Sequence, residues 1–169
     1  MSHHESAPSD ETRPIPEWRN GPLQKRPGFL IRRMHQLHTA IFTEECGVEK
    51  ITPIMYSVLS ALANTGSVDQ TTLACSIAID KTNMADVLER LRKRGLIRRR
   101  TAPKDRRVRL AALTSEGHAL LDRVDEKAER AHLRTIEDLS STEQETFLDY
   151  MNRIISAKDG AAQRPGKPG

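Results

Sequence analysis

The apolar residues of this chain keep helical spacing as far as Gly95, change to a strand-like period between Leu96 and Leu113, and return to helical spacing after Thr114. That order restricts the chain to a mainly α fold interrupted by one small β-hairpin. A first helix fits 28–46, where Leu30, Met34, Leu37 and Ile41 recur at helical spacing beside Ile31 and Phe42, and Gly47 supplies the stop. The second opens at Thr52-Pro53, an N-cap followed by proline at the first helical position, and carries Met55, Val58, Leu59 and Leu62 as far as Asn64-Thr65-Gly66. A short third helix covers 70–77. Asp80 caps a fourth, whose Met84, Val87, Leu88 and Leu91 form one stripe ending at Gly95. Leu96–Thr101 and Val108–Leu113 read as strands around the turn Ala102-Pro103-Lys104-Asp105. Thr114 caps a long fifth helix carrying Leu120, Leu121, Val124, Ala128 and Ala131. After a break at Ser140-Ser141, a sixth has the capping-box spacing Ser141-x-x-Gln144 and an apolar face of Phe147, Leu148, Met151, Ile154 and Ile155.

Charge is concentrated where the period changes. Eleven of the 27 basic residues lie between Arg90 and Arg109, with Asp105 the one acid among them, although the net charge of the whole chain is only +4. A local density of that order repels itself unless a polyanion lies against it, and a basic stripe over a helix end and a hairpin is the footprint of a DNA-binding module. Helices two to four followed by the hairpin make a winged helix-turn-helix. The core stripe of the fourth helix fixes its other face, where Thr82, Asn83, Asp86, Glu89, Arg90 and Lys93 fall. Near the N-terminal end of a recognition helix, Asn83 suits adenine, Asp86 a cytosine amine, and Thr82 either a base or a phosphate. Lys93, Arg94 and Arg98 to Arg100 suit phosphates.

The hairpin carries a more specific signal. Asp105-Arg106-Arg107, then Leu113-Thr114-x-x-Gly117, preceded by Leu91-Arg-Lys-Arg-Gly95 and the basic strand, resembles the signature of the MarR family of bacterial transcription regulators. The resemblance covers roughly Phe29 to Ile155. It implies that an arginine of the wing enters the minor groove, with Arg107 the first candidate and Arg106 its rival, and that Asp105 braces the wing. A narrow minor groove attracts arginine on electrostatic grounds alone. The sequence departs from the family at Ala85-Asp86, where many members carry Thr-Arg, so base contacts there should differ.

The resemblance also implies a homodimer on a pseudo-palindromic double-stranded operator. The first, fifth and sixth helices carry more apolar surface than one small lobe can cover, as a two-fold interface requires. The expected organisation is a flexible arm over 1–27, a domain over 28–156 and a disordered tail over 157–169. Within the domain, dimerisation helices at 28–46 and 114–156 flank a winged helix-turn-helix at 52–113. Family members commonly bind anionic aromatic ligands between the dimer helices and the DNA-binding lobe. By that analogy Arg32, Arg33, His35, His38, Phe42 and Tyr56 are candidates for a small-molecule effector, an aromatic acid or its aromatic acyl-CoA thioester.

Other chemistry finds little support. His35, His38, His118 and His132 lack the acids or cysteines that would complete a recognisable metal site, so no metal and no cofactor are expected. Cys46 sits among Glu44, Glu45 and Glu49, which raise a thiol's pKa where a redox sensor needs the opposite, and Cys75 reads as core. No phosphate loop, nucleophile elbow or catalytic dyad is present, so no enzyme is expected. No apolar run or signal region points to membrane or export, and a cytoplasmic location is expected. Two readings of function remain: a ligand-released transcriptional repressor, and an effector-independent or architectural DNA-binding protein. A cysteine redox regulator stands behind both.

Overall fold

The computed structural model describes residues 16–103, 105 and 107–162. The chain divides into two units, Met1–Leu37 and His38–Gly169. In the first, single 3₁₀ turns at Glu17–Arg19 and Leu23–Lys25 precede α1 (Pro27–Cys46), which continues into the second unit. Arg26 Nε donates to the Gly21 carbonyl at 3.4 Å and closes the link between the two turns.

The second unit holds the remaining elements: a 3₁₀ turn at Gly47–Glu49, α2 (Pro53–Thr65), β1 (Val68–Asp69), α3 (Gln70–Ser76), α4 (Lys81–Lys93), β2 (Ile97–Thr101), β3 (Arg109–Leu113), α5 (Ser115–Thr135) and α6 (Ser141–Ala162). Each cap expected from sequence at the start of α2, α4 and α5 forms. Thr52 Oγ1 accepts from Met55 N, Asp80 Oδ1 from the backbone N–H groups of Thr82 and Asn83, and Thr114 Oγ1 from Gly117 N. Side-chain caps of this kind each stabilise a helix by about 1 kcal/mol. The stripes of α2 and α4 meet in one core, in which Phe42, Met55, Leu59, Leu62, Met84 and Leu88 are almost fully buried. Leu120, Val124, Ala128 and Ala131 of α5 close that core.

Gly95 ends α4 with a left-handed φ of 72°. Its N–H donates to the Arg92 carbonyl and the next N–H, from Leu96, reaches back to Leu91 at 3.0 Å. This is a Schellman turn, and the leucines it joins, Leu91 and Leu96, are both buried. The turn between α3 and α4 has the same bonding, from Ala78 N to Cys75 O and from Ile79 N to Ala74 O, but places Ala78 in the left-handed region at φ 54°.

The structure differs from the sequence reading in four respects. The wing is a three-stranded sheet in the order β1-β3-β2, because Val68–Asp69 pairs antiparallel with β3, Val68 facing Ala111. The capping box of α6 lies one residue earlier than expected. Ser140 N and Oγ both donate to the Glu143 carboxylate, while Gln144 Nε2 donates instead to the carbonyls of Ile136 and Leu139. A carboxylate accepts two bonds at once, so Ser140-x-x-Glu143 prevails over Ser141-x-x-Gln144. The same helix runs to Ala162, beyond the Ser156 where its pattern ends. Finally, Cys75 is exposed rather than core, since the buried positions of α3 are Leu73 and Ala74.

The chain returns from the wing through a junction with no spare room. Thr114 N and Oγ1 both donate to the Leu96 carbonyl, at 3.1 Å each, and Oγ1 also approaches the Gly95 carbonyl at 2.7 Å. Gly117 lies against the same peptide: a Cβ there would stand 2.1 Å from the Leu96 carbonyl oxygen and 3.1 Å from its carbon. Gly117→Ala should therefore destabilise the fold by at least about 1–3 kcal/mol, the usual cost of overpacking, despite alanine's better helix propensity. Thermal and urea unfolding of the variant measure it; unchanged stability would mean that α5 can slide off β2.

Candidate nucleic-acid interface

The start of α4 combines acidic caps with exposed polar side chains. Asp80 Oδ1 accepts two backbone N–H groups, and Asp80 Oδ2 accepts from the side-chain amide of Asn83. The Asn83 N–H is the largest of the contacts that hold the Asp80 carboxyl below its ordinary value of 3.8. Asp69 does the same for α3, accepting from Thr71 N, Thr72 N and Thr72 Oγ1, and its pKa is likewise lowered, the Thr72 hydroxyl being the chief cause. Both helices therefore begin with an ionised carboxylate on their N-terminal dipole. Those N–H groups are occupied, so phosphate binding at this surface falls to basic side chains.

Thr82, Asn83, Asp86, Arg90 and Lys93 are all exposed on the face of α4 away from Met84, Val87, Leu88 and Leu91. The last turn is internally paired on one side. Arg92 binds Glu89 through two 2.8 Å bonds, and Lys93 lies 3.9 Å from the same carboxylate while remaining 71% exposed. The Arg92 guanidinium holds Glu89 below its ordinary pKa. Arg94, grouped with phosphate-binding candidates by sequence, is engaged elsewhere. Its two terminal nitrogens donate to the carbonyls of Lys50 and Glu49 at 2.7 Å and tie the end of α4 to the loop before α2.

Within the wing, Asp105 Oδ1 accepts from Arg107 N at 2.9 Å, and the Asp105 carbonyl accepts from Val108 N. The aspartate thus closes the turn on itself and leaves the Arg107 side chain exposed. Arg106 lies outside the described residues. Arg98 and Arg100 alternate outward on β2, whereas Arg99 is half-buried and donates from Nη2 to Gln70 Oε1 at 2.7 Å.

The candidates for a small-molecule site fall into two sets. His38, Phe42 and Tyr56 come together with His132 of α5 in a ring cluster. The imidazoles of His38 and His132 stack at 5.1 Å and 11°, and the Phe42 and Tyr56 rings lie 5.7 Å apart. Phe42 is fully buried and backs the cluster. His38 Nδ1 bonds Thr135 Oγ1 at 2.9 Å, and Tyr56 Oη donates to Asp125 Oδ1 at 2.7 Å. Burial, reinforced by Asp125, pushes the Tyr56 phenol up to about 12, so it remains a neutral donor. The sequence had placed His132 only among possible metal ligands and had not marked Asp125. Arg32, Arg33 and His35 belong to the first unit, where all three are exposed; Arg32 stacks on Phe29 and Arg33 donates to Gln36.

Cys46 is buried, and burial first and Glu49 second push its thiol pKa up. Among the described residues, no group of three or more His, Cys, Asp or Glu is placed to hold a metal ion, and no helix is long and apolar enough to cross a membrane.

The sequence model of the MarR family matches residues 51–108, from the start of the core through α4 to the wing. The transcriptional repressor NicR of Pseudomonas putida is 31% identical over 134 residues, 79% of this chain and 85% of its own. The solved structure of BpsR from Bordetella bronchiseptica, described as regulated in DNA binding by 6-hydroxynicotinic acid, aligns with a TM-score of 0.74 at 33% identity, covering 80% of this chain and 98% of that one. PcaV from Streptomyces coelicolor, solved with its natural ligand, aligns at 0.73 and 30% identity, covering 82% and 97%. The basic wing, the exposed face of α4 and these relationships agree: the chain belongs to the MarR family and is a winged helix-turn-helix DNA-binding transcriptional regulator rather than an enzyme.

Proposed function

We propose that this regulator is a cytoplasmic repressor that binds a pseudo-palindromic operator as a homodimer and is released by a small anionic aromatic acid. The observation that carries the DNA-binding half is the wing turn, in which Asp105 holds the backbone and presents Arg107 outward. Arg107 enters the minor groove, while Thr82, Asn83 and Asp86 face base edges in the major groove and Arg90 and Lys93 contact phosphates. The homodimer draws support from α6, whose Leu148, Met151, Ile154 and Ile155 are 44%, 38%, 64% and 56% exposed in the single chain. A run of large apolar side chains along one helix calls for a partner surface. Two-fold symmetry then spaces the half-sites about one helical turn apart.

The effector half rests on the ring cluster. Stacked imidazoles beside Tyr56 offer a flat aromatic ligand π surface. BpsR, similar over most of its length, is described as responding to 6-hydroxynicotinic acid, a heteroaromatic acid of this class. Arg32, Arg33 and His35 enter the reading on charge alone, as cations suited to a carboxylate or to the phosphates of an acyl-CoA.

Arg107→Ala should weaken operator binding by about tenfold or more, the cost of one good groove contact, with the fold unchanged. Asp105→Ala should weaken binding as well, by loosening the turn while keeping the arginine. Band shifts beside circular dichroism measure both, and an Arg107→Ala protein with undiminished affinity removes the wing from the interface.

Asn83→Ala and Asp86→Ala should each relax selectivity at one operator position, at about 1–3 kcal/mol, whereas Lys93→Ala should weaken all sequences alike and reduce the salt slope by about one. Selection from random duplexes decides this. Identical preferences in all three variants would mean that another face of α4 reads the DNA.

Calorimetry of 6-hydroxynicotinic acid, hydroxybenzoic acids and their CoA thioesters, with free and operator-bound protein, tests the effector. A ligand that lowers DNA affinity 100-fold needs about 2.7 kcal/mol of coupling, and DNA must then weaken the ligand by the same factor. Equal ligand affinity in the two states would show that the compound is no inducer, however tightly it binds.

A further inference from the structure

Gln70 is the first residue of α3, directly after edge strand β1, and its carboxamide reaches two other elements. Its Oε1 accepts from Arg99 Nη2 of β2 at 2.7 Å, and its Nε2 donates to the Lys81 carbonyl in the first turn of α4 at 3.2 Å. Only one orientation of the amide satisfies both partners. A guanidinium can only donate, so it needs the amide oxygen; a carbonyl can only accept, so it needs the amide nitrogen. The register shows how Arg99 reaches across the sheet. Val68 and Arg99 both pair with Ala111 of the middle strand, so the three side chains share one face, and Ala111 between them is a single methyl. The guanidinium crosses that gap half-buried, with Nε fully enclosed and making no hydrogen bond. Enclosing an arginine nitrogen without a partner carries a cost, which places weight on the one bond the head group makes to Gln70.

We propose that Gln70 is a positioning residue for DNA binding: it locks the wing to the start of the recognition helix, so that Arg107 and Asn83 meet their two grooves at a fixed spacing. The inference rests on the reading that both α4 and the wing contact DNA. One donor and one acceptor of the Gln70 amide are engaged within the protein, which suits a brace better than a base reader. Losing the brace leaves each contact intact and removes their mutual alignment. The wing must then be ordered anew for each binding event.

A double-mutant cycle between Gln70→Ala and Arg107→Ala, read as operator affinity, tests this. With the brace, Arg107→Ala costs about tenfold; without it, Arg107 should contribute at most about threefold, because a wing that is no longer held gains less from its arginine. Hydroxyl-radical footprints should show minor-groove protection fading in Gln70→Ala, while dimethyl sulfate methylation shows protection of guanine N7 in the major groove persisting. Gln70→Glu serves as a second variant, which accepts from Arg99 but cannot donate to Lys81. It should show the same coupling at reduced size, and it carries the test if Gln70→Ala unfolds. A role in stability alone would lower the melting temperature and leave the Arg107 penalty at full size, and additivity of that kind overturns the proposal. If Arg107→Ala is silent in the wild-type background, the wing reading itself fails, and the inference falls with it.

Discussion

The Leu96 peptide is the point on which the DNA-binding surface depends. Its N–H closes the Schellman turn that ends α4, and its carbonyl receives both Thr114 N and Thr114 Oγ1. Gly117, one turn into α5, fits directly over it. The backbone of one residue thus fixes where the recognition helix stops, where the wing begins and where the chain enters its long fifth helix. The residues responsible are Gly95, Thr114 and Gly117. The first supplies a left-handed φ, the second a hydroxyl that donates to backbone and caps a helix at once, and the third the absence of a side chain. The Leu-Thr-x-x-Gly portion of the signature is therefore structural, while Asp105 and Arg107 form the exposed turn of the wing.

From this junction the positive charge is distributed by secondary structure. Arg94 is drawn inward to the Glu49 and Lys50 carbonyls, Arg99 crosses the sheet to Gln70, and Arg92 closes on Glu89. Among the described residues of this basic block, Arg90, Lys93, Arg98, Arg100, Arg107 and Arg109 face outward. A second set of ion pairs lies along α5, where Arg130 and Arg134 reach Glu45 and Lys127 reaches Glu49. Arg134 is the largest cause holding Glu45 below its ordinary pKa, and Lys127 does the same for Glu49. These clamps join the end of α1 to α5.

Much of the fold was legible because its signals are local. The stripe Met84, Val87, Leu88 and Leu91 and the caps Thr52, Asp80 and Thr114 each lie within a few residues of what they control. What was missed is non-local or too short to carry a period. Val68–Asp69 is a two-residue strand, below the length at which alternation can be read, and only its pairing with Leu110 and Ala111 makes it one. The Gln70–Arg99 bond spans 29 positions. Cys75 reads as core because it follows Leu73 and Ala74, but the next step around a helix of 3.6 residues per turn leads to solvent. His132 reads as an unattached histidine until α5 brings it against His38, more than 90 residues earlier in the chain.

Asn83 shows how local structure limits what a recognition helix can read. Its backbone N–H and its side-chain amide are both held by Asp80. A bidentate contact to adenine needs the amide to donate to N7 while its oxygen accepts from N6. With the NH₂ group turned toward Asp80, the oxygen is the part of the side chain that can serve the groove, and it can only accept. Asp86, one turn on, is an acceptor as well. On the proposed reading, Asn83 and Asp86 therefore suit base-edge donors, the exocyclic amines of adenine and cytosine. The same reading assigns phosphate contacts to the basic residues at the far end of the helix and in the wing. The charge asymmetry of α4, with the Asp80 cap first and Arg90, Arg92 and Lys93 in the last turn, would on that reading separate the reading of sequence from the holding of the backbone along a single helix.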